Sequence, residues 1–95
     1  MTSYSVRSKL WLYSGSAAWH FVTVPLKTSD LIKKKHGKRA KGWGSIPVQA
    51  TIGKTTWKTS IFPDKSGVYF LPVKLMVRTA EGIAAEDVVR VVLKI

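Results

Sequence analysis

The sequence has 95 residues, 45% of them hydrophobic, and its 16 Lys and Arg against five Asp and Glu give a net charge of +11. This length and composition predict one compact domain, residues 1–95, and argue against wholesale disorder. The absence of cysteine excludes disulfides and cysteine-ligated zinc. No apolar run approaches the roughly 20 residues of a membrane helix, and the N-terminus has no apolar signal segment. We therefore expect a cytoplasmic protein without membrane contact.

The first 25 residues predict an antiparallel hairpin. Residues 6–15 and 17–25 are rich in β-branched and aromatic side chains, which favour strands. The break at residues 14–16 contains Ser and Gly and is short enough for a tight turn. Pro25 ends the second strand.

Residues 27–37 predict a short helix of about two turns. Thr28 or Ser29 is a suitable N-cap, Asp30 falls in the first turn, and lysines fall in the last turn. This charge order is the one that the helix dipole favours. Gly37 is placed to end the helix in the left-handed conformation.

Residues 44–64 predict a second hairpin. Apolar and polar residues alternate in its first strand, as they do in a strand with one buried face, and Gly53-Lys54 suits a type II′ turn. The apolar positions of the first strand are Val48, Ala50 and Ile52. One side of the return strand carries Trp57, Thr59 and Ile61, and Pro63-Asp64 ends it.

Residues 67–95 predict a strand, a helix and a closing strand. Pro72 is placed for the first turn of the helix, and Gly82 for its end. Apolar residues at i, i+3, i+4 and i+7 predict a stripe facing the core: Val73, Met76, Val77 and Ala80. In the closing strand one face carries Val89, Val91, Leu93 and Ile95.

The second half of the sequence carries a specific order of motifs. A glycine-rich entry, a strand and a glycine turn are followed by TTWKTSIFP, LPVK, an arginine four residues after that lysine, EG, and a valine-rich strand. Together with AAWHFVTVP upstream, this order closely resembles a small family of prokaryotic domains of unknown function, numbered nineteen-oh-five, over roughly residues 8–95.

The resemblance implies a mainly β fold, a double-split β-barrel of about six to seven strands with two short helices capping the barrel ends. This architecture is shared at a distance with the swapped-hairpin transcription factors and antitoxins of the AbrB and MazE class. The family has no established activity, so the resemblance leaves function open. Its members commonly have Gly-Asp before the last strand, where this sequence has Glu86-Asp87.

Few residues are suited to catalysis, and we expect neither an enzyme nor a cofactor or metal. His20 lies between aromatic residues of a predicted strand, which is typical of a structural or surface histidine. His36 lies among basic residues that disfavour its protonation and its use as a metal ligand. Glu86 and Asp87 are adjacent in a turn that points them apart. No recognised catalytic or phosphate-loop pattern occurs.

A first candidate site lies where the second hairpin meets the second predicted helix. Lys74 and Arg78 are four residues apart and repel each other on a bare helix, an arrangement that an overlying anion stabilises. Thr59 and Ser60 lie on the strand that ends nearby. The alternative, which we favour, is that Arg78 pairs with Glu81 or Asp87 and that Lys74 is solvated.

A second candidate site is the basic segment, which we define as residues 27–41, where seven basic side chains against Asp30 give a net charge of +6. Such a concentration of charge attracts polyanions. Trp43 follows between two glycines, and a basic loop ending in an aromatic side chain suits single-strand binding. The alternative, which we favour, is that Trp43 folds back as a lid on the barrel end. The candidate polyanion-binding residues are Lys33, Lys34, Lys35, Lys38, Arg39, Lys41 and Trp43.

The other three tryptophans, Trp11, Trp19 and Trp57, lie in predicted strands and are expected in the core. Charge makes a non-enzymatic binding module for nucleic acid or another polyanion the leading hypothesis. A domain binding a small anionic ligand through Lys74 and Arg78 is the first alternative, and a protein-interaction module for an acidic partner is the second. We expect a monomer or a weak homodimer.

Overall fold

The computed structural model describes residues 1–15 and 18–95, so part of the predicted first turn lies outside the described residues. In chain order the elements are β1 (Ser3–Leu12), β2 (His20–Val24), α1 (Leu26–His36), two 3₁₀ turns (Gly37–Arg39 and Gly42–Gly44), β3 (Ile46–Ile52), β4 (Thr55–Pro63), β5 (Tyr69–Pro72), α2 (Leu75–Glu81) and β6 (Val88–Lys94). No helix among these residues is long and apolar enough to cross a membrane.

The six strands close into a barrel in the order β1-β2-β5-β4-β3-β6, and every pair of neighbours is antiparallel. Closure depends on β1, which pairs with β6 through residues 3–9 and with β2 through residues 10–12. The predicted mainly β barrel with two helices is therefore confirmed. A closed barrel leaves no unpaired strand edge.

The interior is filled by the alternating apolar residues of the strands. The predicted inner faces of β3 and β6 are buried, and both predicted hairpins form. Gly53 has a φ of 57°, and no positive φ occurs at Lys54, as the type II′ turn between Ile52 and Thr55 requires. The buried side chains of these two strands and the residue after them are Ile46, Val48, Ala50, Ile52, Val89, Val91, Leu93 and Ile95.

The first helix forms within one residue of its predicted bounds, but its predicted caps are wrong. The N-cap is Pro25, with no side-chain cap bond, and Asp30 lies beyond the first turn. Ser29 is fully buried instead: its Oγ donates to the carbonyl oxygen of Val24 and accepts from the backbone N–H of Tyr69, at 2.9 and 3.0 Å. Gly37 stays right-handed, because the chain continues directly into a 3₁₀ turn.

The second helix is shorter than predicted. Pro72 belongs to β5, opposite Phe21, so α2 starts only after Lys74. Seven residues make about two turns, and within them only Val77 is buried, while Met76 is 56% exposed and Ala80 is exposed. The predicted four-residue stripe is thus reduced to Val73 and Val77. Gly82 ends the helix in the left-handed conformation, as predicted.

Of the three tryptophans expected in the core, only Trp57 lies there, with 6% of its surface exposed. Trp11 is half-buried on the outside of the barrel, where its Nε1 donates to Thr23 Oγ1 at 2.9 Å and its ring packs on Phe21. Trp19 is 52% exposed, so the prediction that it lies in the core is wrong. It precedes β2 rather than lying in it, and strand alternation does not apply there.

Candidate anion-binding cleft and basic segment

A cleft of about 420 Å³ opens where β4, the start of β2 and the approach to α2 meet, and we call it the central cleft. Three of the four residues of the first candidate site line it: Thr59, Lys74 and Arg78. Ser60 does not; it lies opposite Pro47 in the β3–β4 ladder. The fold thus brings Thr59 to the same cleft as Lys74 and Arg78, which lie 15 and 19 positions later in the chain.

Arg78 is the most firmly placed cation of the central cleft. Its Nε donates to the carbonyl oxygen of Val73 at 3.1 Å, and its Nη1 lies 3.5 Å from His20 Nε2. Because His20 Nδ1 lies 2.9 Å from the carbonyl oxygen of Ala18, that nitrogen carries the ring hydrogen and Nε2 is left as an acceptor for Arg78. The half-buried guanidinium is therefore oriented from two sides.

The predicted alternative, an ion pair of Arg78 with Glu81 or Asp87, is wrong. Glu81 accepts from Thr55 Oγ1 at 2.6 Å, and Asp87 accepts from the backbone N–H of Ala84 at 2.9 Å. Within the described parts of the chain, the sole salt bridge joins Lys9 to Glu86, at 3.7 Å between exposed side chains. The charge of Arg78 is therefore not neutralised by a carboxylate among the residues described.

Aromatic side chains that sequence reasoning did not assign to a site border the central cleft. Trp19 and Phe62 line it, and both also line a neighbouring cleft of about 300 Å³, which we call the aromatic cleft. The Trp19 ring stacks on Phe21 with 5.9 Å between ring centroids and 13° between planes. The side chains of the aromatic cleft are Tyr13, Trp19, Phe21, Phe62 and Phe70. The sequence carries a signal for Tyr13, Trp19 and Phe21, which cluster on both sides of the first turn, but none for Phe62 and Phe70.

The cations of the basic segment lie on the surface. Lys33, Lys34 and Lys35 occupy the last turn of α1, and all three are exposed. Consecutive helical residues point about 100° apart, so these lysines spread around α1 instead of facing one surface. The remaining three candidate cations, Lys38, Arg39 and Lys41, are also exposed, in and after the first 3₁₀ turn.

Trp43 is 95% exposed, so the prediction that it forms a lid is wrong. It has a φ of 69°, in the region that L residues rarely adopt. The turn around it is closed by two backbone bonds of 2.8 Å, from Gly44 N–H to the carbonyl of Lys41 and from Lys41 N–H to the carbonyl of Ser45. These bonds hold the indole outward, away from the barrel.

Comparison with protein families confirms the resemblance that the sequence motifs predicted. Residues 7–93 match the family described as Domain of unknown function (DUF1905). The chain belongs to this family. No curated protein matches the chain significantly. The match includes Lys74, Arg78 and the basic segment.

Glu86 of this DUF1905 domain has a backbone conformation that suits glycine, with a φ of 81°. The turn is held by Glu86 N–H donating to the carbonyl oxygen of Leu10 at 2.7 Å, and by Asp87. The side chains of Glu86 and Asp87 bind different partners, as predicted.

The second histidine of this DUF1905 domain is structural. His36 is buried, and its Nε2 lies 3.0 Å from the Tyr4 hydroxyl. Burial, followed by the charges of Arg39 and Lys35, lowers the pKa of His36 below its usual value. The prediction that its surroundings disfavour protonation is confirmed, with burial as the larger cause. Among the residues described, no group of three or more metal-ligating side chains is assembled.

Proposed function

We propose that this DUF1905 domain is a binding module, not an enzyme, for a small anionic ligand that carries a planar aromatic group. Arg78 is the observation that supports this most directly. Its guanidinium is oriented by Val73 and His20, opens on the central cleft, and has no carboxylate partner in the described chain. A guanidinium placed in this way matches the two oxygens of a carboxylate or phosphate.

The rest of the central cleft supports the same class of ligand. Lys74 adds a second positive charge and Thr59 a hydroxyl. The exposed rings of Trp19 and Phe62 offer a stacking surface for a planar group beside those cations. The volume of about 420 Å³ lies in the range of small-molecule sites. A nucleoside monophosphate combines the two required features.

The test is a tryptophan-fluorescence titration with AMP and with inorganic phosphate. We expect AMP to bind more tightly, because phosphate alone does not use the rings. Arg78→Gln should weaken AMP binding about tenfold to a hundredfold, the effect of losing a charged hydrogen bond. Arg90→Gln is the matched control, since it removes the same charge from an exposed position outside the central cleft. Equal affinities of the two variants, or no AMP binding by the wild type, would refute the proposal.

A second candidate function is supported by a different observation, the 95% exposure of Trp43 beside the basic segment. An outward indole next to several exposed cations suits a single strand of nucleic acid, with bases stacked on the ring and phosphates neutralised by Lys and Arg. This function does not need the central cleft. It makes the hypothesis of a polyanion-binding module specific to a single strand of nucleic acid.

A labelled oligonucleotide, titrated at two salt concentrations, tests this second candidate. The variant replaces six residues by Gln: Lys33, Lys34, Lys35, Lys38, Arg39 and Lys41. Trp43→Ala is tested separately, because loss of one stacked base costs about 1–3 kcal/mol. Affinity unchanged in both variants would exclude the basic segment as a binding surface, and equal competition by polyglutamate would point to an acidic protein partner.

A further inference from the structure

The central cleft continues into a second basic depression. A cleft of about 260 Å³, which we call the basic cleft, shares Lys58 and Thr59 with the central cleft. On its other side the central cleft shares Trp19 and Phe62 with the aromatic cleft. The three depressions therefore adjoin one another, and we call them together the track.

The chemistry changes in a regular way along the track. The aromatic cleft has only aromatic side chains, the central cleft adds Lys74 and Arg78, and the basic cleft adds Arg39 and Lys94. Lys58 lies where the central and basic clefts meet. A ligand that uses the whole track is therefore longer than one anion with one ring.

Acidic residues are excluded from the track. All five Asp and Glu side chains belong to described residues, and none of them lines any of the three clefts. Three are held by other groups: Asp64 by Ser66, Glu81 by Thr55 and Asp87 by the N–H of Ala84. The track thus has five basic side chains and no acidic side chain, which suits a ligand with several negative charges in a row.

We propose that the track binds a short single strand of nucleic acid, with bases stacked over the aromatic cleft and successive phosphates along the cations from Arg78 to Lys94. This inference rests on the proposed anion site in the central cleft and extends it from one nucleotide to several. The exposed rings of Tyr13 and Trp19 favour a single strand, because a duplex hides the faces of its bases and offers nothing to stack.

The track differs from the basic segment in a way that an experiment can separate. Of the seven basic residues in that segment, Arg39 alone lines the track. Lys33, Lys34 and Lys35 lie in the last turn of α1 and line none of the three clefts. Two variants with the same net charge are therefore available. The track variant carries Arg39→Gln and Lys94→Gln, neither of which lines the central cleft, and the helix variant carries Lys33→Gln and Lys34→Gln.

The experiment measures the affinity of a labelled ten-nucleotide oligoadenylate and of AMP at several salt concentrations, for the wild type and both variants. The wild type should bind the oligomer more tightly than AMP, with a slope of log affinity against log salt of about −3.5 for five neutralised phosphates on a single strand. In the track variant the slope should fall to about −2, and oligomer affinity should fall at least about tenfold, while AMP affinity stays within about threefold. The helix variant should keep the wild-type slope.

Several results would overturn the inference. If the oligomer binds no more tightly than AMP, the track is not its binding site, and the central cleft remains as an anion site. A helix variant that loses more affinity than the track variant assigns the oligomer to the basic segment. Equal binding of a duplex, or equal competition by polyglutamate, rejects the single strand as the specific occupant. Absence of AMP binding, by contrast, refutes the proposed function itself.

Discussion

Arg78 Nη1 lies 3.5 Å from His20 Nε2, although the two residues are 58 positions apart in the chain. The same guanidinium donates from Nε to the carbonyl oxygen of Val73. A planar group held at both ends loses little further freedom when an anion binds, and this lowers the entropic cost of binding.

Arg78→Lys separates the charge of this residue from its orientation. The lysine keeps the positive charge but cannot make both contacts, so we expect AMP affinity to fall about tenfold. Arg90→Lys, a change at an exposed position on β6, should leave AMP affinity unchanged. The measurement is the same fluorescence titration. An Arg78→Lys variant with wild-type affinity would mean that charge alone matters at this position.

His36 makes stability depend on pH. Its pKa is lowered in the folded protein, chiefly by burial, whereas the unfolded chain has a value near 6.5. Below pH 6.5 the unfolded state therefore takes up a proton that the folded state does not. The free energy of unfolding decreases as the pH is lowered, until the pKa of the folded state is reached. Urea unfolding at pH 7.5 and 5.5 should show a smaller difference between the two pH values for His36→Gln than for the wild type. An equal difference would assign the dependence to other groups.

Glu86→Gly should stabilise the domain. Glu86 has a φ of 81°, which is unfavourable for any residue but glycine. Glycine removes this strain but increases the entropy of the unfolded chain, and we expect a net gain in the free energy of unfolding of about 0.5–1 kcal/mol. The Lys9 pair that is lost is exposed and contributes little. Glu86→Ala is the control, since it removes the same pair but keeps the unfavourable φ. If both variants have the same free energy of unfolding, backbone conformation is not the cause.

Ser29→Ala should destabilise the domain by about 1–3 kcal/mol, because it leaves the buried carbonyl of Val24 and the N–H of Tyr69 without the hydroxyl that now bonds both. Ser5→Ala, on the exposed outer face of β1, should change stability by no more than about 0.5 kcal/mol. The check is the midpoint of urea unfolding. Similar midpoints for the two variants would show that the link from α1 to β5 contributes little.

How far sequence reasoning reached differs between the barrel and its helices. The β3–β4 hairpin was predictable because period-2 alternation and the Gly53 turn are local signals, and both depend on residues adjacent in the chain. The helix caps were not predictable, because the Ser29 hydroxyl can bond either to the first N–H groups of its own helix or to backbone groups of β2 and β5. The bonds to β2 and β5 can form only once those strands lie beside α1, and no local sequence pattern predicts them.

The candidate site divides along the same line. The sequence by itself determined which residues carry charge, that Lys74 and Arg78 lie close together, and that the chain belongs to this family. Only the tertiary structure decided that Arg78 meets His20, that the carboxylates are bound elsewhere, and that Trp19 and Trp43 face outward. The reason is physical: composition and local periodicity act between neighbours in the chain, whereas barrel closure brings together residues that are far apart in sequence, and their contacts set the charge and shape of the clefts.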